Sequence, residues 1–282
     1  MSSCNATTWL LIGLICCSGA VQASSGYVVG INGIADNAGG RAVSGFIDYG
    51  ITESTWVSGT LAHTNTGGPL GGLDTIYVDA AFEQSFGLTG FRAGAAYWGD
   101  DDILDSNDFR ASLFFRGEKG SLSLDYERRE FDFVYSPLLE PDRILTTEFS
   151  ANGIGVAASL KASDRSRLFV SGMSYDYSRD IRLQPRFDAL RFLSTSRLSL
   201  MNSLIDYRIS GGMEFQFGHR AVDLTLSHWQ TAIDGGKVSS VSIGFITPSG
   251  PASDLEYRLA FDDSENFGNT FAFAVSFYFF GT

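Results

Sequence analysis

The chain has 282 residues, with 32 acidic and 20 basic side chains and a formal net charge of −12 at pH 7. This acidic balance excludes nucleic acid as an expected partner, because binding to nucleic acid depends on neutralising phosphates. The three cysteines, Cys4, Cys16 and Cys17, all lie near the N-terminus, which excludes a disulfide framework or a thiolate metal site from the rest of the chain.

The N-terminal segment has the pattern of an export signal. Residues Trp9 to Cys17 form an apolar core, and Val21-Gln22-Ala23 is a small-residue cleavage site. The apolar core is too short to span a bilayer as a helix, which takes about 20 apolar residues. The sequence therefore predicts a signal peptide over residues 1–23 and a mature domain over residues 24–282.

From Tyr27 onward, apolar and polar side chains alternate in segments of about ten residues separated by turn residues. Successive side chains of a strand point to opposite faces, so each segment has one apolar face and one polar face. The predicted strands cover residues 27–34, 42–52, 55–64, 75–85, 91–98, 109–116, 122–135, 152–161, 167–177, 204–217, 222–231, 238–247, 255–261 and 270–280.

One predicted strand changes its pattern along its length. Leu122 and Leu124 occupy even positions, whereas Phe131 and Phe133 occupy odd positions. A β-bulge inserts one extra residue and so shifts the alternation. The sequence therefore predicts a bulge near Arg128.

The connections between the predicted strands alternate in length. Short turns are predicted near residues 52–55, 87–90, 117–120, 162–165, 218–220 and 248–251, and longer loops at 67–74, 100–108, 136–147, 179–203 and 262–269. Two connections on the loop side, at 37–40 and 234–236, are short. Short turns at one end and longer loops at the other are typical of barrels that span an outer membrane.

The last predicted strand carries an aromatic face. Its apolar side chains resemble the C-terminal strand that outer-membrane barrel proteins present to their insertion machinery; they are Phe273, Val275, Phe277, Phe279 and Phe280. Over its whole length the chain resembles Gram-negative outer-membrane β-barrel proteins. The resemblance implies insertion by the barrel-assembly machinery and residence in the cell outer membrane. An open sheet edge cannot be satisfied in lipid, so we expect an all-β, transmembrane, up-and-down antiparallel β-barrel of about 14 strands, within a range of about 12 to 16.

Charged residues of both signs fall on the polar faces of the predicted strands. A charge that faces lipid at the midplane costs about 2–4 kcal/mol, so these side chains are expected to face the lumen. The predicted pore-lining residues are Asp48, Asp79, Glu83, Arg92, Arg110, Arg116, Asp125, Arg208, Glu214, Glu256 and Arg258. Two interpretations remain open: a polar pore wall that tunes ion selectivity, or a salt-bridged plug that closes a narrow barrel.

The longest predicted loop, residues 179–203, is basic in an otherwise acidic chain. It contains Arg182, Arg186, Arg191 and Arg197 among apolar residues. The loop either folds into the pore as a constriction, or pairs its guanidinium groups with lipopolysaccharide phosphates, or stands above the membrane with no special role.

Catalysis is not expected from the arrangement of the histidines. His63 is similar to the lipid-facing histidine of outer-membrane phospholipase A, but Asn65 stands where the serine two positions on would be required. Ser227 and His228 are adjacent and therefore point to opposite faces. The carboxylates between Asp100 and Asp108 lack the spacing of a calcium loop, so neither a metal nor a cofactor is expected.

The sequence favours a passive channel for small hydrophilic solutes or ions. Outer-membrane lipids, lipopolysaccharide and the assembly machinery are the other expected partners. The alternatives are a closed barrel that displays its loops and, less favoured, a lipid-acting enzyme centred on His63.

Overall fold

The chain folds into a closed barrel of 14 antiparallel strands, in which β1 pairs with β14. The computed structural model describes residues 26–66, 73–100, 104–135, 145–179, 204–266 and 268–281. The strands are β1 (Tyr27–Asp36), β2 (Arg41–Thr52), β3 (Thr55–Thr66), β4 (Leu73–Phe86), β5 (Thr89–Asp100), β6 (Leu104–Gly117), β7 (Gly120–Tyr135), β8 (Leu145–Ser163), β9 (Ser166–Tyr177), β10 (Ile205–Phe217), β11 (Arg220–Thr231), β12 (Lys237–Gly250), β13 (Ser253–Ser264) and β14 (Gly268–Gly281). The predicted fold class and strand number are confirmed.

Connections of two residues join the strands at one end of the barrel, which we name the turn end. They are residues 53–54, 87–88, 118–119, 164–165, 218–219 and 251–252. Gly87 and Gly218 have φ angles of 66° and 65° at the first position of their turns. A two-residue type II′ hairpin requires positive φ at that position, where glycine has no steric cost. The other connections lie at the opposite end, which we name the loop end.

The predicted surface loop over residues 100–108 is wrong. Only residues 101–103 separate β5 from β6, because β6 begins at Leu104. Asp105 and Asp108 therefore lie within a strand and point to opposite faces. Tyr97 donates a hydrogen bond of 2.8 Å to Asp105, whereas Asp108 is buried on the inner face.

The predicted bulge in β7 is also wrong. β7 pairs in unbroken register with β6 and with β8 from one end of the strand to the other. Phe131 is consequently on the inner face, where only 1% of its surface is exposed. What changes near Arg128 is the chemistry of the two faces and not their register: the outward positions beyond it, Glu130 and Asp132, are charged and exposed.

The outer wall of the barrel carries a continuous apolar belt. Large apolar side chains that would be covered in a water-soluble protein are open here, among them Ile31, Leu113 and Ile154, which are 59%, 64% and 66% exposed. Their polar neighbours along each strand point the other way. Such a belt fits hydrocarbon, since apolar patches of this extent are rarely left in water. Within the described residues, no helix has the length and apolarity needed to cross a membrane.

The C-terminal strand β14 closes the barrel against β1 and β13. Phe273, Val275, Phe277 and Phe279 alternate along its outer face, with Phe277 and Phe279 in edge contact at 4.5 Å between ring centroids. Phe280 lies on the opposite parity at the turn end and is exposed. The role of these residues as an insertion signal stays a prediction.

Candidate functional site on the inner wall

The inner wall is the face opposite the apolar belt, and the predicted charged residues lie on it. Each of them occupies a strand position that alternates with the belt residues. Several of them form ion pairs, some of which join different strands.

The first group joins β4 to β6. Arg116 donates to both carboxylate oxygens of Glu83, at 2.5 and 3.0 Å, and Arg110 is in contact with Asp79. Both pairs pass over β5, the strand between. The guanidinium fork suits a two-point contact with a carboxylate, so the Arg116 pair is held in a defined geometry.

Two further predicted residues extend this group toward β2. Arg92 on β5 donates a hydrogen bond of 2.8 Å to Ser58 on β3. Asp48 on β2 is the cross-strand partner of Ser58. Charges of both signs therefore lie on the inner wall from β2 to β6.

The second group joins β11 to β14 around one arginine. Arg258 donates to both oxygens of Asp223, at 2.7 and 2.8 Å, and to one oxygen of Glu256, at 2.7 and 2.9 Å. Tyr278 donates to the other oxygen of Glu256 at 2.5 Å. Asp223 is absent from the predicted set, although its position on the polar face of a predicted strand was a usable signal.

The third group, on β6 to β9, is absent from the predicted set. Arg129 donates to Asp108 at 3.2 Å, and Ser106 donates to the same carboxylate at 2.5 Å. Tyr175 donates to Glu127. The predicted bulge would have turned Arg129 outward. A signal was available, because the charged residues Glu127 and Arg129 continue the alternation of the polar face without a shift.

The other predicted residues contact neutral or aromatic side chains among their neighbours. Asp125 accepts a hydrogen bond of 3.1 Å from Ser123, and Glu214 accepts one of 3.1 Å from Gln216. Arg208 lies 5.1 Å from the ring centre of Trp229. The predicted loop arginines Arg182, Arg186, Arg191 and Arg197 lie outside the described residues.

Glycines allow inner-wall side chains from strands two apart to meet. A Cβ on Gly244 of β12 would overlap Asp223 and lie 2.8 Å from the Arg258 guanidinium. A Cβ on Gly153 of β8 would lie 2.7 Å from the ring of Tyr175. These two bridges join strands that are two apart, and each depends on a glycine in the strand between them.

The interior near these groups is open to solvent. The arginine side chains of three ion pairs, Arg116, Arg110 and Arg258, are 55%, 36% and 32% exposed. Their carboxylate partners are largely buried against the wall. Because these side chains point into a closed barrel, the space that exposes them is the lumen. The arrangement can hold water and polar solutes beside fixed charges of both signs.

Toward the loop end the inner wall becomes apolar. Five buried residues form a cluster there, which we name the inner apolar band: Leu104, Phe131, Ala151, Leu204 and Ile233. Half-buried rings pack against it, including Trp98, Phe149 and Tyr177. Phe131 and Phe149 are stacked with 4.7 Å between ring centroids. The sequence interpretation missed this band.

The histidine singled out by the sequence lies on the outer face. His63 Nε2 is 3.4 Å from Asp74, and Asn65 donates to the same carboxylate oxygen at 2.8 Å. His228 contacts Ser239 at 3.1 Å, while Ser227 contacts Ser210 at 2.8 Å, so the adjacent pair does point to opposite faces. In the part of the chain that the structure describes, no group of three His, Cys, Asp or Glu side chains is placed to hold a metal ion.

Comparison with known proteins supports the architecture. No family model and no curated protein matches the chain. The barrel is similar to a Pseudomonas aeruginosa FadL homologue, with a TM-score of 0.55, 10% identity, and coverage of 90% of this chain and 89% of that one. It is also similar to OmpTdeltaL8, a loop L8 deletion mutant of OmpT, an outer membrane protein of Vibrio cholerae, with a TM-score of 0.50, 7% identity, and coverage of 91% and 99%. The chain therefore has the transmembrane β-barrel fold of outer-membrane proteins, as its sequence predicted.

Proposed function

We propose that the protein is an outer-membrane channel through which small hydrophilic solutes or ions diffuse passively. The observation that carries the proposal is the exposure of charged side chains inside a closed barrel: Arg110, in the middle of β6, has a side chain that is 36% exposed on the inner wall. A lumen filled by side chains would cover such a group. Barrels of more than eight strands have room for water inside, whereas eight strands leave an interior that side chains fill.

The inner-wall charges are proposed to tune which ions pass. Rings of charged side chains select ions by their sign, and here carboxylates and guanidinium groups are paired within one wall. Pairing lowers the field that a passing ion meets, so we expect weak selectivity while the pairs are intact.

Planar-bilayer recording of the refolded protein tests the channel. We expect stepwise increases in current at constant voltage as single molecules insert. A protein that inserts into the bilayer, as judged by its recovery with the membrane, and yet gives no current steps would contradict the proposal.

The proposed location and partners follow from the same architecture. Residues 1–23 are proposed to direct export and to be removed, and β14 is proposed to be the strand that the barrel-assembly machinery recognises. The outer belt would then contact the lipids of the outer membrane. Contact between the arginines of residues 179–203 and lipopolysaccharide phosphates remains part of this proposal.

A closed barrel without conductance is the second candidate. The inner apolar band favours it, because Phe131 and Ala151 are almost fully buried on a wall that an open pore would expose. A lipid-acting enzyme at His63 is not favoured, because Asn65 and His63 share Asp74 and the place of the required serine is taken by Asn65.

A further inference from the structure

The inner apolar band is covered on its lumen side. Phe131 and Ala151, on neighbouring strands, are 1% and 0% exposed although both point into the barrel. Leu204, immediately before β10, and Ile233, in the connection between β11 and β12, belong to the same cluster. An inner-wall residue can be this deeply buried only if other side chains fill the space in front of it.

The covering residues are held in place by backbone hydrogen bonds. The amide of Ala232, beside Ile233, donates to the carbonyl of Leu204 at 2.8 Å. The amide of Thr231 donates to Gly236 at 3.0 Å and closes the connection on itself. The part of the band contributed by these two segments is therefore a defined piece of the wall.

The band lies beyond the apolar belt. On β7 the outward side chains at the level of Phe131 are polar, and Arg128 and Glu130 form an exposed ion pair at 2.9 Å. The belt residues of the same strand, Leu122 and Leu124, lie nearer the turn end. Apolar side chains at this level pack inward and occupy lumen space, because water and not hydrocarbon surrounds the wall outside.

The lumen thus differs along its axis. Near the middle and the turn end, arginine side chains are exposed to it, as at Arg110 and Arg116. Near the loop end, apolar side chains from β6 to the β11–β12 connection pack together inside the barrel, beside the buried Arg129–Asp108 pair. The band therefore occupies lumen space at this level.

We propose that the inner apolar band is the constriction that limits the size of solutes in this channel. The inference rests on the proposed channel function, and it names the residues that limit solute size. Side chains that fill part of the lumen leave less room for a solute, so larger solutes are excluded before smaller ones.

Truncation of the stacked pair tests the constriction. Phe131→Ala with Phe149→Ala removes one ring of the band and the ring stacked on it, and replaces no charged residue. It also removes the contact of Arg129 with the Phe131 ring, at 4.9 Å. In planar bilayers, with polyethylene glycols of graded size added to the bath, we expect a higher single-channel conductance and entry of larger polymers than in the wild type. Phe114→Ala is the matched control, because Phe114 is an inner-wall ring near the turn end. It is expected to leave the polymer limit unchanged.

A second variant keeps the test informative if the double variant misfolds. Ile233→Ala shortens one side chain in a connection and leaves all strands intact, and it is expected to shift conductance in the same direction by less. Folded variants whose conductance and polymer limit equal the wild-type values would overturn the inference. If the wild type is silent and the double variant conducts, the passive-channel proposal fails while the band is supported as the closure. If both are silent, both proposals fail.

Discussion

At the scale of single residues, the inner wall is organised by charges that serve more than one partner. Arg258 contacts Asp223 and Glu256 at once, and Tyr278 completes the set on the second carboxylate. Asp223 is buried, and both of its carboxylate oxygens accept hydrogen bonds from the arginine. Groups of this kind are costly to break from one side, because a buried acceptor is left without its donor.

Arg258→Gln is expected to destabilise the barrel. The loss leaves the Asp223 carboxylate buried without its guanidinium, at a cost of about 1–3 kcal/mol in the free energy of unfolding. Urea titration in lipid vesicles measures it. Lys161→Gln is the control, since its pair with Asp164 is exposed and contributes at most about 1 kcal/mol. Equal effects of the two variants would contradict the account of the Arg258 group.

Gly244→Ala is expected to disrupt the Arg258 group from β12, the strand that lies between β11 and β13. The added methyl overlaps Asp223 and crowds Arg258, and forced overpacking of this kind typically costs about 1–3 kcal/mol. Gly33→Ala is the control, because a Cβ there meets nothing within 4 Å. The free energies of unfolding of the two variants should differ. A neutral Gly244→Ala would mean that the bridge over β12 does not require the glycine.

At the scale of the element, β7 explains where sequence reasoning succeeded and where it failed. Alternation predicted the inward side chains up to Glu127, because a strand in lipid must put its apolar residues outside. Beyond Tyr126 the outward side chains of the same strand, as far as Asp132, are charged and exposed, and apolar Phe131 lies on the inner face. The slip was interpreted as a bulge because the pattern was assumed to face lipid throughout.

The pairing of charges could not be predicted from a single sequence, for a different reason. Asp223 and Arg258 lie on β11 and β13, and their meeting depends on the register of β12 between them and on Gly244. Alternation says which face a residue occupies. It does not say which residues two strands away stand at the same level.

Charge substitutions along β7 test where the strand leaves the membrane. Leu124→Arg places a charge in the apolar belt and should cost about 2–4 kcal/mol if it lies near the midplane. Asp132→Arg, eight positions further along the same face, should cost no more than about 1 kcal/mol. Unfolding in lipid vesicles measures both. A penalty at Asp132 as large as that at Leu124 would place the membrane boundary closer to the loop end than the belt indicates.

At the scale of the whole molecule, two gradients of polarity define the barrel. Across the wall, an apolar outer belt is opposed by a charged inner face. Along the axis, charged groups exposed to the lumen near the turn end give way to the inner apolar band near the loop end. The first gradient fixes the barrel in a membrane, and the second is proposed to decide what passes through it.

Water is expected inside this wall and hydrocarbon outside. Residues 24–282 contain no cysteine, so a single introduced thiol reports on its own surroundings. Ser112→Cys and Leu113→Cys are adjacent on β6, the first on the inner wall and the second in the apolar belt. In vesicles treated with a charged, membrane-impermeant thiol reagent, the account predicts rapid labelling at position 112 and none at 113. Labelling at 113 with protection at 112 would contradict it.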